Sequence, residues 1–179
     1  MLTVIIGGAR SGKSRFAVSL ASKLPQVTYI ATARAEDDEM RARIARHRAE
    51  RPPHWRTIEE PLAIAEAAEA CVPSCDLILL DCLTLWLSNL CCASAGESEA
   101  TLRAAASAEL HRLALTARRI DILAVTNEVG CGLVPESALG RMFRDLQGWI
   151  NQDIARPADY VYHLVAGIAT AIKRPEVAS

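Results

Sequence analysis

Gly7-Gly8-Ala9-Arg10-Ser11-Gly12-Lys13-Ser14 fits the pattern G-x-x-x-x-G-K-[ST], a phosphate-binding P-loop. Its glycines let the backbone curl so that successive N–H groups point at phosphate oxygens. A helix starting at the end of the loop adds the positive pole of its dipole. The flanks agree with this reading. Leu2-Thr3-Val4-Ile5-Ile6 is a short, apolar, β-branched run suited to a buried parallel strand, and Ser14 to Leu24 contains neither Gly nor Pro. Lys13 is placed to reach the β- and γ-phosphates of a bound nucleotide, and the hydroxyl of Ser14 to sit on Mg²⁺.

Beyond Pro25, Val27-Thr28-Tyr29-Ile30-Ala31 reads as a second strand that ends at Thr32-Ala33. Ligands of parallel sheets gather beyond the carboxyl ends of strands, so Ala31, Thr32 and Ala33 form either a nucleotide-contact loop or a plain connection. Asp37 to Arg51 opens acidic and turns basic, the favourable order for a helix dipole. Met40, Ile44 and His47 fall on one stripe of that helix, among Arg43, Arg46, Arg48 and Arg51. His47 is then a surface residue of a basic helix, or a nucleophile attacking phosphorus beside cations that stabilise the transition state.

Pro52-Pro53 ends the segment, and Trp55 to Ile58 reads as a short strand before Glu59-Glu60 and an alanine-rich helix from Pro61 to Ala70. Glu59 either hydrogen-bonds a base or ribose, or joins Glu60 in complementing the start of that helix. Asp76-Leu77-Ile78-Leu79-Leu80-Asp81 is a buried strand ending in a carboxylate. Paired with a P-loop, Asp81 takes the Walker B position that helps hold Mg²⁺.

Cys82 to Ala93 is an apolar helix for burial in the core or against another subunit, and Glu99 to Arg119 is a long helix whose apolar pattern includes His111. Ile120 to Val125 is a further strand, followed by the loop Thr126-Asn127-Glu128-Val129-Gly130 and onward to Pro135. A helix over about Glu136 to Ala155 precedes a hairpin, Tyr160 to Val165 and Ile168 to Ile172, turning at Ala166-Gly167. Pro175 to Ser179 reads as a frayed tail. The pattern predicts one α/β domain over 1–179, a P-loop NTPase with a RecA-like, mostly parallel central sheet flanked by helices.

Composition narrows the classes further. Over 179 residues, charged side chains nearly cancel to a net −1, which gives no global electrostatic case for nucleic acid. No apolar run has the length of a membrane span, and a P-loop strand stands where a signal peptide would, so a cytoplasmic protein is expected. Cys71, Cys75, Cys82, Cys91, Cys92 and Cys131 lack zinc-site or C-x-x-C spacing and read as reduced, mostly packing residues.

With these residues in view, the chain resembles the bifunctional adenosylcobinamide kinase/adenosylcobinamide-phosphate guanylyltransferases of cobalamin biosynthesis. The resemblance rests on Gly7 to Arg15, Tyr29-Ile30-Ala31-Thr32, Asp37-Asp38-Glu39-Met40, Arg43-Ile44, His47, Arg51-Pro52 and Trp55-Arg56-Thr57. It continues through Asp81 to Leu90, Thr126 to Gly130, Phe143-Arg144-Asp145 and Asn151-Gln152. The chain departs from many members at Arg34-Ala35-Glu36, at Gly167-Ile168-Ala169 and at Arg46, where a second histidine can occur.

The resemblance implies two reactions, with ATP and GTP as substrates and Mg²⁺ as cofactor. A nucleoside triphosphate phosphorylates adenosylcobinamide. A histidine matched by His47 then takes GMP from GTP as a covalent intermediate, which adenosylcobinamide phosphate attacks. The resemblance also implies guanine-nucleotide contacts at Ala31 to Ala33, at Arg48, Ala49, Glu50 and Arg51, at Glu59 and at Asp81, and a homotrimeric assembly. The competing readings are a P-loop kinase of another small metabolite and a RecA-like, nucleotide-dependent nucleic-acid-binding protein.

Overall fold

The structure, a computed structural model, describes residues 1–35 and 37–175, with Arg43 described by its backbone alone. Expectations resting on Glu36, on the Arg43 side chain and on the tail at 176–179 lie outside the described residues. In chain order the elements are β1 (Leu2–Gly7), α1 (Lys13–Ala21), β2 (Val27–Ala31), α2 (Asp38–Ala49), β3 (Arg56–Glu59), α3 (Ile64–Cys71) and β4 (Leu77–Asp81). Then follow α4 (Leu83–Ala93), α5 (Glu99–Thr116), β5 (Asp121–Asn127), α6 (Ala138–Ala155), β6 (Tyr160–Val165) and β7 (Ile168–Lys173).

The strands form one sheet in the order β3-β2-β4-β5-β1-β6-β7, parallel throughout except for β7, which returns antiparallel at the edge. Central strands are covered on both faces, so β1, β4 and β5 are near-continuous apolar runs. The edge strand β7 instead alternates exposed and half-buried residues, as a one-sided strand must.

Successive side chains of a strand point to opposite faces, and the two cores divide accordingly. Val4, Ile30, Ile78, Leu80, Ile122 and Ala124 pack with residues of α3 to α6. Ile5, Tyr29, Leu77, Leu79, Leu123 and Val125 pack with Ala17 and Ala21 of α1. Complete burial of each such leucine or isoleucine contributes about 1.5–3 kcal/mol. Carried to the strand ends, the same period turns Gly7, Ala31, Asp81 and Asn127 toward the α1 face. Register sets Ala31 and Asp81 level with Val125, and Gly7 level with Asn127 two residues further along on the same face.

Some elements differ from the sequence reading. The alanine-rich helix starts at Ile64 and not Pro61, because the Glu60 carboxylate accepts the N–H groups of Leu62 and Ala63, both at 2.8 Å, in a turn ahead of it. His111 does not join the apolar face of α5; it is exposed. Cys92 and Cys131 are also exposed, so only Cys71 and Cys82 are fully packed. All six cysteines are free. Among the described residues, no helix is long and apolar enough to cross a membrane.

Candidate active site

A cleft of about 680 Å³ opens over the carboxyl ends of the strands on the α1 face, within the usual range of small-ligand sites. One wall is the P-loop from Ala9 to Ser14, the floor is Tyr29, Ala31, Ala33, Glu59, Asp81 and Asn127, and the opposite wall is α2.

The loop geometry follows from its glycines. Gly12 has φ 95°, a left-handed conformation that a side chain disfavours, and a Cβ there would meet the Gly167 Cα at 3.2 Å. The Gly167 N–H donates to the Ser11 carbonyl at 2.9 Å, so the β6–β7 turn braces the loop. At Gly7 a Cβ would collide with the Leu164 carbonyl. Lys13 starts α1 and its Nζ donates to the Gly8 carbonyl at 2.7 Å, arching across the loop.

Asp81 ends β4 half-buried, and its Oδ2 accepts from the Tyr29 hydroxyl at 2.8 Å. Burial, then the charge of Asp81, push the Tyr29 phenol well above its ordinary range, so it stays a donor. Just beyond, Thr32 is fully buried: its hydroxyl donates to the Cys82 carbonyl and accepts from the Cys82 N–H, both at 2.8 Å. This pins the ends of β2 and β4 together.

Asp37 caps α2, its side chain accepting from the Met40 N–H at 2.7 Å. Among the described side chains of the helix the half-buried ones are Met40, Ile44 and His47, the stripe expected from spacing. That stripe faces the cleft. With Arg10, Lys13, Arg15, Arg46, Arg48 and Arg51 against Glu50, Glu59 and Asp81, the lining is cationic although the chain as a whole carries −1.

Most of the residues singled out from sequence therefore meet: Ala9 to Ser14, Ala31, Ala33, His47, Arg48, Glu50, Arg51, Glu59 and Asp81 all line the cleft. Gly7 and Gly8 sit at the base of the loop, Ala49 lies on the exposed side of α2, and Thr32 is occupied with Cys82. The glutamates divide, Glu59 lining the cleft and Glu60 serving the start of α3. Tyr29 and Asn127 were not assigned to the site from sequence; the available signal was a polar group ending or interrupting a buried apolar strand.

A P-loop feeding a helix and a strand-end carboxylate across one intervening strand, at the carboxyl edge of a mostly parallel sheet, define a P-loop NTPase. Residues 3–172 match the family described as cobinamide kinase / cobinamide phosphate guanyltransferase. The chain is 41% identical over 181 residues to the bifunctional adenosylcobalamin biosynthesis protein CobU of Escherichia coli, covering 97% of this chain and 100% of that protein. It is 43% identical to the CobU of Salmonella typhimurium over the same shares. It is 45% identical over 179 residues to the bifunctional adenosylcobalamin biosynthesis protein CobP of Pseudomonas aeruginosa, covering 97% and 98%. The chain belongs to the cobinamide kinase / cobinamide phosphate guanyltransferase family, the bifunctional nucleotide-utilising enzymes of cobalamin biosynthesis.

Proposed function

We propose that one domain carries both reactions in this one cleft: phosphoryl transfer to adenosylcobinamide from ATP or GTP, then guanylyl transfer from GTP by way of His47. The observation that carries the reading is the shared cleft, with Lys13, Ser14 and Asp81 on one side and His47 on the other. In the first reaction the P-loop N–H groups and Lys13 hold the triphosphate while the substrate hydroxyl attacks the γ-phosphorus. The new P–O bond forms as the bond to the β-phosphate oxygen breaks.

The donor set fits Mg²⁺. Ser14 and Asp81 offer hard oxygen ligands beside the phosphate loop, and no cluster of three His, Cys, Asp or Glu exists among the described residues. Mg²⁺ is commonly held by one or two protein oxygens together with phosphates and water. When bound there it neutralises charge on the phosphates. Tyr29, donating to Oδ2, orients the Asp81 carboxylate for that role.

In the second reaction a neutral imidazole nitrogen of His47 attacks the α-phosphorus of GTP, and pyrophosphate leaves. The phosphate oxygen of adenosylcobinamide phosphate then attacks the GMP–histidine phosphoramidate, giving adenosylcobinamide-GDP and freeing His47. Arg46, Arg48 and Arg51 supply cations to the phosphates, and Ala31, Ala33, Glu50 and Glu59 border the nucleoside. We further place the enzyme in the cytoplasm with its nucleotide substrates, as a homotrimer. The exposed Leu133, Val134 and Leu139 are apolar surface available for subunit packing.

The test is incubation with GTP labelled at the α-phosphate, followed by denaturation. Wild type acquires label that is stable to base and released by acid, and His47→Ala acquires none while still phosphorylating adenosylcobinamide. Absence of label on wild type with GTP and Mg²⁺ bound would overturn the guanylyl half.

A further inference from the structure

The motif Thr126 to Gly130 has no role in the account above, although its second residue lies in the cleft. Strand β5 runs between β1, which carries the P-loop, and β4, which carries Asp81. Asn127 is level with Gly7, one strand spacing of about 4.8 Å away, and shares the sheet face of Asp81 and α1. It therefore sits between the phosphate loop and the carboxylate assigned to the metal.

Its backbone is clamped. The Asn127 N–H donates to the Thr84 hydroxyl at 2.9 Å, its carbonyl accepts from Asn151 Nδ2 at 3.0 Å, and the next N–H, of Glu128, donates to the Gly7 carbonyl at 3.0 Å. Asn151 is itself locked on the opposite face. Its Oδ1 accepts from the Thr126 hydroxyl at 2.7 Å and from Gln147 Nε2 at 2.9 Å, in a network where Thr126 and Gln147 are fully buried. Gln147 Oε1 has no hydrogen-bond partner among the described residues, and the bonds the network does make hold the end of β5 in place. The side-chain carboxamide of Asn127, by contrast, makes no hydrogen bond among the described residues.

We infer that the Asn127 carboxamide binds the transferred γ-phosphoryl group, Nδ2 donating to a non-bridging oxygen as charge spreads over the equatorial oxygens. The inference rests on the kinase reading above. A neutral donor suits the position, because it holds the phosphoryl oxygen without competing with Asp81 for the cation. Guanylyl transfer breaks the bond at the α-phosphorus, so this contact serves the kinase step alone.

The experiment compares wild type with Asn127→Ala and the isosteric Asn127→Asp, which keeps the backbone bonds to Thr84 and Asn151. In Asn127→Ala, kinase kcat on adenosylcobinamide falls about 10²-fold, the usual loss for one transition-state donor. The preference for the β,γ-imido analogue of GTP over GDP falls about tenfold, while GDP affinity and GMP labelling of His47 at saturating GTP stay within about twofold. Asn127→Asp loses more, because a carboxylate repels the phosphoryl oxygens. Unchanged kinase turnover would overturn the proposal, as would equal losses in GDP binding and His47 labelling, the mark of a strut. Should Asn127→Ala not fold, Asn127→Asp and Asn127→Ser decide by the same readings. Failure of the kinase reading itself is separate: wild type would then not phosphorylate adenosylcobinamide, whatever its preference between triphosphate and diphosphate.

Discussion

The Arg51 guanidinium lies over the Tyr29 ring, 3.2 Å from its centroid. Because the hydroxyl of the same tyrosine donates to Asp81, one buried side chain joins the segment just past the C-terminus of the helix carrying His47 to the carboxylate at the end of β4. Tyr29→Phe keeps the ring and loses the hydroxyl, and is expected to cost about 1–2 kcal/mol in urea unfolding while leaving hydrogen exchange of α2 unchanged. Tyr29→Leu also removes the cation–π contact, worth about 0.5–2 kcal/mol, and speeds exchange across residues 38–49. The phenol is raised on folding, so its stabilisation is complete below the ordinary tyrosine range and is lost as pH rises through the folded value. The gap between wild type and Tyr29→Phe should therefore be flat from neutral pH to the ordinary phenol range and shrink only in stronger alkali.

Adjacent glutamates separate stability from binding. Glu60→Ala frees the N–H groups of Leu62 and Ala63 and is expected to cost about 1–2 kcal/mol in denaturant unfolding with GTP affinity intact. Glu59→Ala, at an exposed position lining the cleft, should change stability by less than about 0.5 kcal/mol. It should weaken GTP about tenfold by calorimetry. The reverse pattern would exchange their assignments.

Thr32 is a strut whose loss strands the Cys82 N–H. Thr32→Val leaves the Cys82 N–H unpaired in the interior while the Cys82 carbonyl keeps the Trp86 N–H at 3.1 Å, costing about 1–3 kcal/mol, whereas Thr32→Ser retains both bonds and most of the stability. Urea midpoints of the pair check this. Equal midpoints for Thr32→Val and wild type would show that water takes over the bond to the Cys82 N–H.

Thiol reactivity should follow burial. Burial, then the neighbouring Asp81, push the Cys82 thiol up to about 12, so it stays protonated at neutral and mildly alkaline pH. With iodoacetamide at neutral pH, mass spectrometry should find Cys92 and Cys131 alkylated and Cys82 unmodified until the protein is unfolded. Making the solution mildly alkaline leaves Cys82 untouched.

What could be read without coordinates was whatever depends on neighbours in sequence. The P-loop is contiguous, strands announce themselves as short apolar runs, and Met40, Ile44 and His47 lie on one stripe because a helix repeats every 3.6 residues. Family resemblance extended this to His47 and Glu59 as site residues, beyond what their own chemistry argued. The strand order was not legible, because which strand lies beside which depends on pairing across long loops. That order places β5 between β1 and β4 and so brings Asn127 to the cleft. Likewise, Glu59 and Glu60 are equivalent as letters. Opposite directions of successive side chains send one to the cleft and the other to the backbone ahead of α3. The chain itself determined the phosphate loop and the elements. Only tertiary packing decided which polar side chains are consumed in holding the sheet edge, as Thr32 is, and which, like Asn127, face the cleft with hydrogen bonds to offer.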